Sequence, residues 1–223
     1  MYYIHGRTAS RAVPVPAPSG PIVHVVEDDP SCREATARLL RAAGYTVRTY
    51  ASASEFLMSP SADGCIVLDL ELPGPSGLDL QQTLVQSSDP LPIVFLSGQA
   101  DVPDTVIAMK NGAVDFLTKT SDGSELLAAV ERALARAREA STWRAHVRQL
   151  RDRYSHLTPR EREVLAHLIS GQLNKQVGFD LGISEQTTKI HRHRVLEKMQ
   201  ADSIPDLVRM AADLGVAPVG SVR

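Results

Sequence analysis

Cys65 to Leu70 reads CIVLDL, five apolar residues around one acid, Asp69, bounded by Asp63-Gly64 before and Pro73-Gly74-Pro75 after. The run is too short for a typical helix, and its unbroken apolar character means that both of its faces are covered. It therefore predicts a strand buried in a parallel sheet. Ligands of such sheets collect outside the carboxyl ends of the strands, and Asp69 sits at such an end. An acid in that place can also simply cap the next turn. What other strands bring to the same edge decides between the two.

Four further runs repeat the pattern. Pro21 to Glu27 (PIVHVVE) predicts a strand ending at Asp28-Asp29, with His24 a core residue in its middle. Asp29-Pro30 then supplies an N-cap and a first-turn proline for a helix over Ser31 to Ala43, with Ala35, Leu39, Leu40 and Ala43 on its inner face. Tyr45 to Tyr50 alternates as a second strand, and a short helix near Ala53 to Leu57 leads to the central stretch. Beyond it come a helix over Gly77 to Gln86, a strand over Leu91 to Leu96, a helix over Val102 to Lys110, a strand over Val114 to Thr118, and a helix from Ser124. Five such units predict a doubly wound α/β domain with a parallel sheet.

Polar residues then gather at one edge: Asp28 and Asp29 after the first strand, Asp69 after the third, Ser97 after the fourth and Lys119 after the fifth. Carboxylates about 4 Å apart repel by roughly 4 kcal/mol per pair at an effective dielectric of about 20, so three of them call for a cation. Mg²⁺ suits an all-oxygen site that keeps room for water and a phosphate. A phosphoryl group on Asp69 would meet that ion, the Lys119 ammonium and the Ser97 hydroxyl. A dinucleotide-binding dehydrogenase is set aside because the first strand-to-helix turn, EDDPS, has no glycine for a close pyrophosphate approach.

The DD pair, LDLELPGPSG, IVFLSG and DFLTK together resemble the response-regulator receiver family, over about Ile22 to Arg138. The resemblance implies a flavodoxin-like sheet of order 2-1-3-4-5 with Asp69 as phosphoacceptor. It implies a Mg²⁺ site formed by Asp28, Asp29, Asp69 and the backbone carbonyl of Glu71. It also implies switch positions at Ser97 and Phe116, and a sensor histidine kinase as phosphoryl donor. The family usually has proline after the lysine of the fifth strand. Here Thr120 follows Lys119, so that bond is trans or is held cis against a cost of about 2.5 to 4 kcal/mol.

From Ser124 the apolar positions Leu127, Val130, Leu134 and Ala137 keep helical spacing, and a second stripe of Trp143, Val147, Leu150 and Tyr154 runs out of phase with them. Either the helix breaks near Ala140-Ser141-Thr142, or one long helix uses two faces. Residues 139–155 read as a helical, dimer-capable linker.

Thr158, Pro159 and Glu161 form a helix start, with Val164, Leu165, Leu168 and Ile169 as the buried face behind it. Asn174 to Leu181, the turn Gly182-Ile183-Ser184 and Glu185 to Met199 make a helix-turn-helix, with Thr188, His191, Val195 and Met199 toward the core. That leaves a basic outer face in which Lys189 and Arg192 can reach phosphates or guanine edges, and Ile190 a thymine methyl. The segment LTPREREVLAHLISGQLNKQVGFDLGISEQTTKIHRHRVLEKM resembles the LuxR-type DNA-binding domain, over about His156 to Leu214. The resemblance places Lys189, Ile190 and His193 in the major groove, with Lys175 and Arg192 on the backbone, and makes Ile204 to Leu214 a dimerisation helix. His193 stands where the family more usually has lysine or a small polar residue, which implies a weaker or pH-dependent contact.

The chain of 223 residues thus divides into a leader (1–20), a receiver (21–138), a linker (139–155) and an all-α four-helix DNA-binding domain (156–223). The two cysteines, Cys32 and Cys65, have neither zinc spacing nor a disulfide framework. No apolar run reaches membrane-spanning length and no secretory signal is legible, so the cytoplasm is the expected compartment. Together the halves resemble a FixJ/NarL-type response regulator rather than a classified enzyme. Phosphorylation on Asp69 would favour a dimer on promoter DNA, with RNA polymerase a further partner. Two alternatives stay open: a receiver serving mainly as a phosphate sink, and a DNA-binding regulator independent of phosphorylation.

Overall fold

The computed structural model describes residues 21–59, 63–87, 90–98 and 101–220; the 1–20 leader lies outside them. The chain forms two compact units that divide between Arg138 and Glu139. Among the described residues no helix is long and apolar enough to cross a membrane.

The first unit alternates strands and helices: β1 (Ile22–Val26), α1 (Pro30–Ala42), β2 (Thr46–Tyr50), α2 (Ala53–Leu57), β3 (Cys65–Leu68), α3 (Gly77–Val85), β4 (Ile93–Ser97), α4 (Val102–Lys110), β5 (Asp115–Thr118) and α5 (Gly123–Ser155). The strands are all parallel, in the order β2-β1-β3-β4-β5. Their side chains sort by parity into two cores. Val26, Ile66, Leu68, Ile93 and Phe95 pack with Ala53, Phe56, Leu80 and Ala108 of α2, α3 and α4. Val23, Val25, Cys65, Val67 and Val94 pack with Leu40 of α1 and with Leu126, Val130 and Leu134 of α5. Covered faces explain why the strands read as continuous apolar runs.

His24 is fully buried, with Nδ1 3.1 Å from the Tyr50 hydroxyl and Nε2 3.2 Å from the Asp63 carbonyl. Burial lowers its pKa. The expected inner face of α1 needs correction: Thr36, Ala37 and Leu40 are buried, Leu39 is half-buried, and Ala35 and Ala43 are exposed. Ala35 lies two residues, about 200° around the helix, from Ala37, so the two cannot share a face. Small residues fit both sides of a helix, and composition alone cannot set the phase.

Of the two possibilities for α5, the unbroken helix is the one found. Its residues from Glu139 group with the second unit, where Leu150 is buried and Tyr154 packs against the core beneath the Arg162 guanidinium, 5.0 Å from the ring centre. The rest of that unit is α6 (Pro159–Ile169), α7 (Asn174–Leu181), α8 (Glu185–Met199) and α9 (Ile204–Leu214). Thr158 and Glu161 cap α6 reciprocally, the predicted capping box. Thr188, Val195 and Met199 of α8 are buried as expected, whereas His191 is only half-buried.

One close approach positions the central acid. The Gly77 N–H donates to the Leu70 carbonyl at 2.9 Å, pressing the start of α3 onto the backbone after β3. A Cβ at Gly77 would lie 2.3 Å from the Asp69 carbonyl oxygen and 3.0 Å from Leu70 Cα, and backbone atoms cannot step aside as a side-chain tip can. Gly77→Ala is expected to destabilise the first unit by about 1–3 kcal/mol, read as a lower urea midpoint in circular dichroism.

Candidate functional site

The parallel register aligns the strand ends. Val26 pairs with Leu68, so the next residues along, Glu27 and Asp69, are neighbours; Ser97 pairs with Thr118, which places Lys119 just beyond. Asp69 is 4% exposed and Glu27 3%. The Lys119 ammonium bridges them, donating to Asp69 Oδ2 at 2.8 Å and lying 2.7 Å from Glu27 Oε2. Ser97 is fully buried, and its carbonyl accepts from the Lys119 N–H at 2.8 Å. Glu71 and Asp104 line the same cleft.

Glu27, Asp28 and Asp69 each offer an oxygen within 4.8 Å of the others, a donor set suited to a hard divalent cation. Of the expected pair, Asp28 belongs to this set and Asp29 does not, Glu27 standing in its place. Asp29 lines the cleft, but its Oδ1 accepts the Cys32 N–H at 2.7 Å as the N-cap of α1. The residue directly after β1 points into the site, and that residue is Glu27; counting from the strand's last paired position would have found it. Arg33 steadies the loop by donating to the carbonyls of Glu27 at 2.6 Å and Asp28 at 3.0 Å.

Burial raises the Glu27 pKa and the charge of Asp69 adds to the rise, against the opposing pull of Lys119. Burial works to lower the Lys119 pKa, but its bonds to Asp69 and Glu27 outweigh this and hold it above the usual lysine value. No described peptide bond is cis. The lysine therefore reaches both acids with a trans bond to Thr120, whose hydroxyl lies 3.0 Å from that of Thr118. Phe116 is half-buried on β5 and stacks on Phe95 with ring centres 5.8 Å apart.

In the second unit α7 and α8 meet tightly around Gly178, where a Cβ would fall 2.8 Å from the Ile183 carbonyl oxygen. Lys175, Lys189, Ile190 and His193 are exposed. Lys189 pairs with Glu185 at 3.1 Å. Arg192 is half-buried, and its Nη1 donates to Asn174 Oδ1 at 3.4 Å, linking the two helices. An ion pair that sequence reasoning missed, with a buried Glu161 and a half-buried Lys198, joins α6 to α8: Lys198 donates to Glu161 Oε2 at 2.7 Å, and the same oxygen accepts the Thr158 N–H at 2.8 Å. Charge also divides along the chain. Lys and Arg number 13 against 10 Asp and Glu from Glu139 onward, but 11 against 16 up to Arg138.

Comparison with known proteins agrees with this division. Residues 23–131 match the response regulator receiver domain, and residues 155–211 match the luxR family of bacterial regulatory proteins. The chain belongs to the response regulators that join a receiver to a luxR-type DNA-binding domain, the two-component transcriptional regulators. Nodulation protein W of Bradyrhizobium diazoefficiens is 44% identical over 198 residues, 88% of this chain and 87% of that protein. The transcriptional regulatory protein FixJ of Azorhizobium caulinodans is 42% identical over 198 residues, 88% of this chain and 94% of that protein. The solved structure of the response regulator StyR matches with a TM-score of 0.76 at 43% identity, covering 86% of this chain and 98% of that one.

Two outcomes follow from the ion pairs. Lys119→Met leaves Glu27 and Asp69 buried without their cation and should cost about 3 kcal/mol, part of it recovered by excess Mg²⁺, as read from urea denaturation with and without the metal. At Glu161, burial works to raise the pKa, but the bonds from Lys198 and Thr158 outweigh it and the carboxyl is held low. A depressed carboxylate stabilises fully above its unfolded value of about 4.3, and that stability is lost as pH falls through the folded value. Glu161→Gln should therefore cost about 2 kcal/mol at neutral pH and flatten the acid limb of stability, followed by Trp143 fluorescence and circular dichroism.

Proposed function

We propose that Asp69 accepts a phosphoryl group from the phosphohistidine of a sensor histidine kinase, and that this event controls promoter binding by the second unit. The observation that carries the reading is the buried Asp69 carboxylate held by Lys119 beside two further acids at one edge of a parallel sheet. An Asp69 oxygen attacks phosphorus as the bond to the donor nitrogen breaks. Asp28, Asp69, Glu27 and the Glu71 carbonyl would hold Mg²⁺, which when bound neutralises charge on the phosphoryl oxygens. Lys119 is already 2.8 Å from the reacting carboxylate and needs only to follow the new phosphoryl oxygens. The Ser97 hydroxyl donates to another of them.

Phe116 then serves as the reporter of that change. Its ring is half-buried against Phe95 and the α3–α4 core, so movement of Ser97 alters what it can pack on. α4 carries exposed apolar side chains, Val102, Val106 and Met109, on the adjoining surface. The phosphorylated form acts as a homodimer in the cytoplasm. Lys175, Lys189, Ile190 and His193 meet promoter DNA, with Arg192 bracing α8 against α7 more than touching phosphate, and RNA polymerase is the downstream partner.

Asp69→Asn keeps the shape and removes the nucleophile. With acetyl phosphate and Mg²⁺, the wild-type protein should retard its own upstream DNA in an electrophoretic assay at least tenfold more tightly than without them, and Asp69→Asn should show no such gain. Equal gain in the variant would remove Asp69 from the mechanism.

A further inference from the structure

The side chains of α8 fall into two groups. Of its four cations, Arg192 and Lys198 are held by Asn174 and Glu161 of neighbouring helices, and Lys189 pairs at the surface with Glu185 one turn before it. Thr187 is occupied as well, its N–H and hydroxyl both engaged by Ser184 at the helix cap. Opposite the buried Thr188, Val195 and Met199 runs a stripe of Gln186, Ile190 and His193, at intervals of four and three that align them on one face. Gln186 and His193 are exposed and Ile190 is 45% exposed. Neither Gln186 nor His193 has a hydrogen bond or ion pair to any described residue. The next position of the stripe is Glu197, an acid that repels phosphate and confines close approach to the first turns of the helix.

The groups that brace α8 against its neighbours are thus paired, and the stripe of Gln186, Ile190 and His193 projects from it. Gln186 is the first of these. An amide both donates and accepts, and in a major groove it matches the N6 and N7 edge of adenine, whereas a branched apolar side chain matches the thymine methyl. Four residues of helix rise by about 6 Å, close to two base-pair steps of about 3.4 Å. We infer that Gln186 is a base-reading residue, and that with Ile190 it selects half-sites carrying an adenine within two steps of a thymine. This rests on the reading of α8 as the helix that enters the groove, and it adds the chemistry of the target.

The test uses the full-length protein with acetyl phosphate and Mg²⁺, selecting from a pool of randomised double-stranded DNA whose enriched sequences are then read. Wild type should enrich half-sites with an adenine at one fixed position and a thymine within two steps. Gln186→Ala should lose roughly 5- to 150-fold of discrimination at that adenine and leave other positions and the salt dependence unchanged. Gln186→Glu, which keeps the side-chain length and suits the first turn of a helix, should change the preferred base there to cytosine, whose N4 donates to a carboxylate. An unaltered consensus in both variants would overturn the assignment. If the wild-type protein enriches nothing even at low salt, the DNA-binding reading itself fails, and the inference falls with it.

Discussion

The Lys119 ammonium sits between Asp69 and Glu27, two carboxylates that are almost wholly buried at the edge of the sheet. Without a cation these acids and Asp28 could not share that space, because each pair of negative charges would raise the energy of the folded chain by several times thermal energy. The sheet makes the arrangement possible. Parallel register delivers one residue from the end of each of three strands to one place, and α3, pressed close by Gly77, holds the backbone after β3. The same concentration of charge that threatens the fold supplies its chemistry. A buried carboxylate held by a lysine at the floor of a cleft would take up a phosphoryl group on the proposed reading, provided that a divalent ion offsets the added charge.

The two cores on either side of the sheet divide the labour. The one formed with α1 and α5 is built from Val, Ala, Leu and Cys65, with no aromatic side chain among its buried residues. The other holds Tyr50, Phe56, Phe95 and, half-buried, Phe116 against α2, α3 and α4. Phe116 stacks on Phe95 with ring centres 5.8 Å apart, and on the proposed reading it is the group that would respond to a charge event at the strand ends.

The second unit solves a related problem with the opposite outcome. Its basic residues must neutralise nucleic acid, yet a helix made only of free cations would repel itself. Glu161 and Asn174 take up Lys198 and Arg192, fixing α8 against α6 and α7, and Lys189 pairs with Glu185 along α8 itself. The face opposite the core carries an amide, an aliphatic group and an imidazole, Gln186, Ile190 and His193.

Much of this was legible in the residues. Short apolar runs ending in polar residues specify a parallel sheet, because burial on both faces leaves no alternation to read, and the cap signals at Asp29 and Thr158 mark helix starts through local hydrogen bonds. Asp69, Ser97 and Lys119 could be grouped because every parallel strand ends on one edge. Pairing between distant residues could not be read in this way. Whether Glu27 or Asp29 joins Asp69 depends on where β1 ends and α1 begins: two residues beyond Glu27, Asp29 already caps the helix. Which face of α1 is buried depended on packing, since alanines lie on both sides of it. The reach of Lys119 past a trans bond and the Glu161–Lys198 pair between α6 and α8 also belong to the tertiary structure. Local sequence sets hydrogen bonds between near neighbours, whereas contacts across the sheet and between helices exist only once the chain has folded.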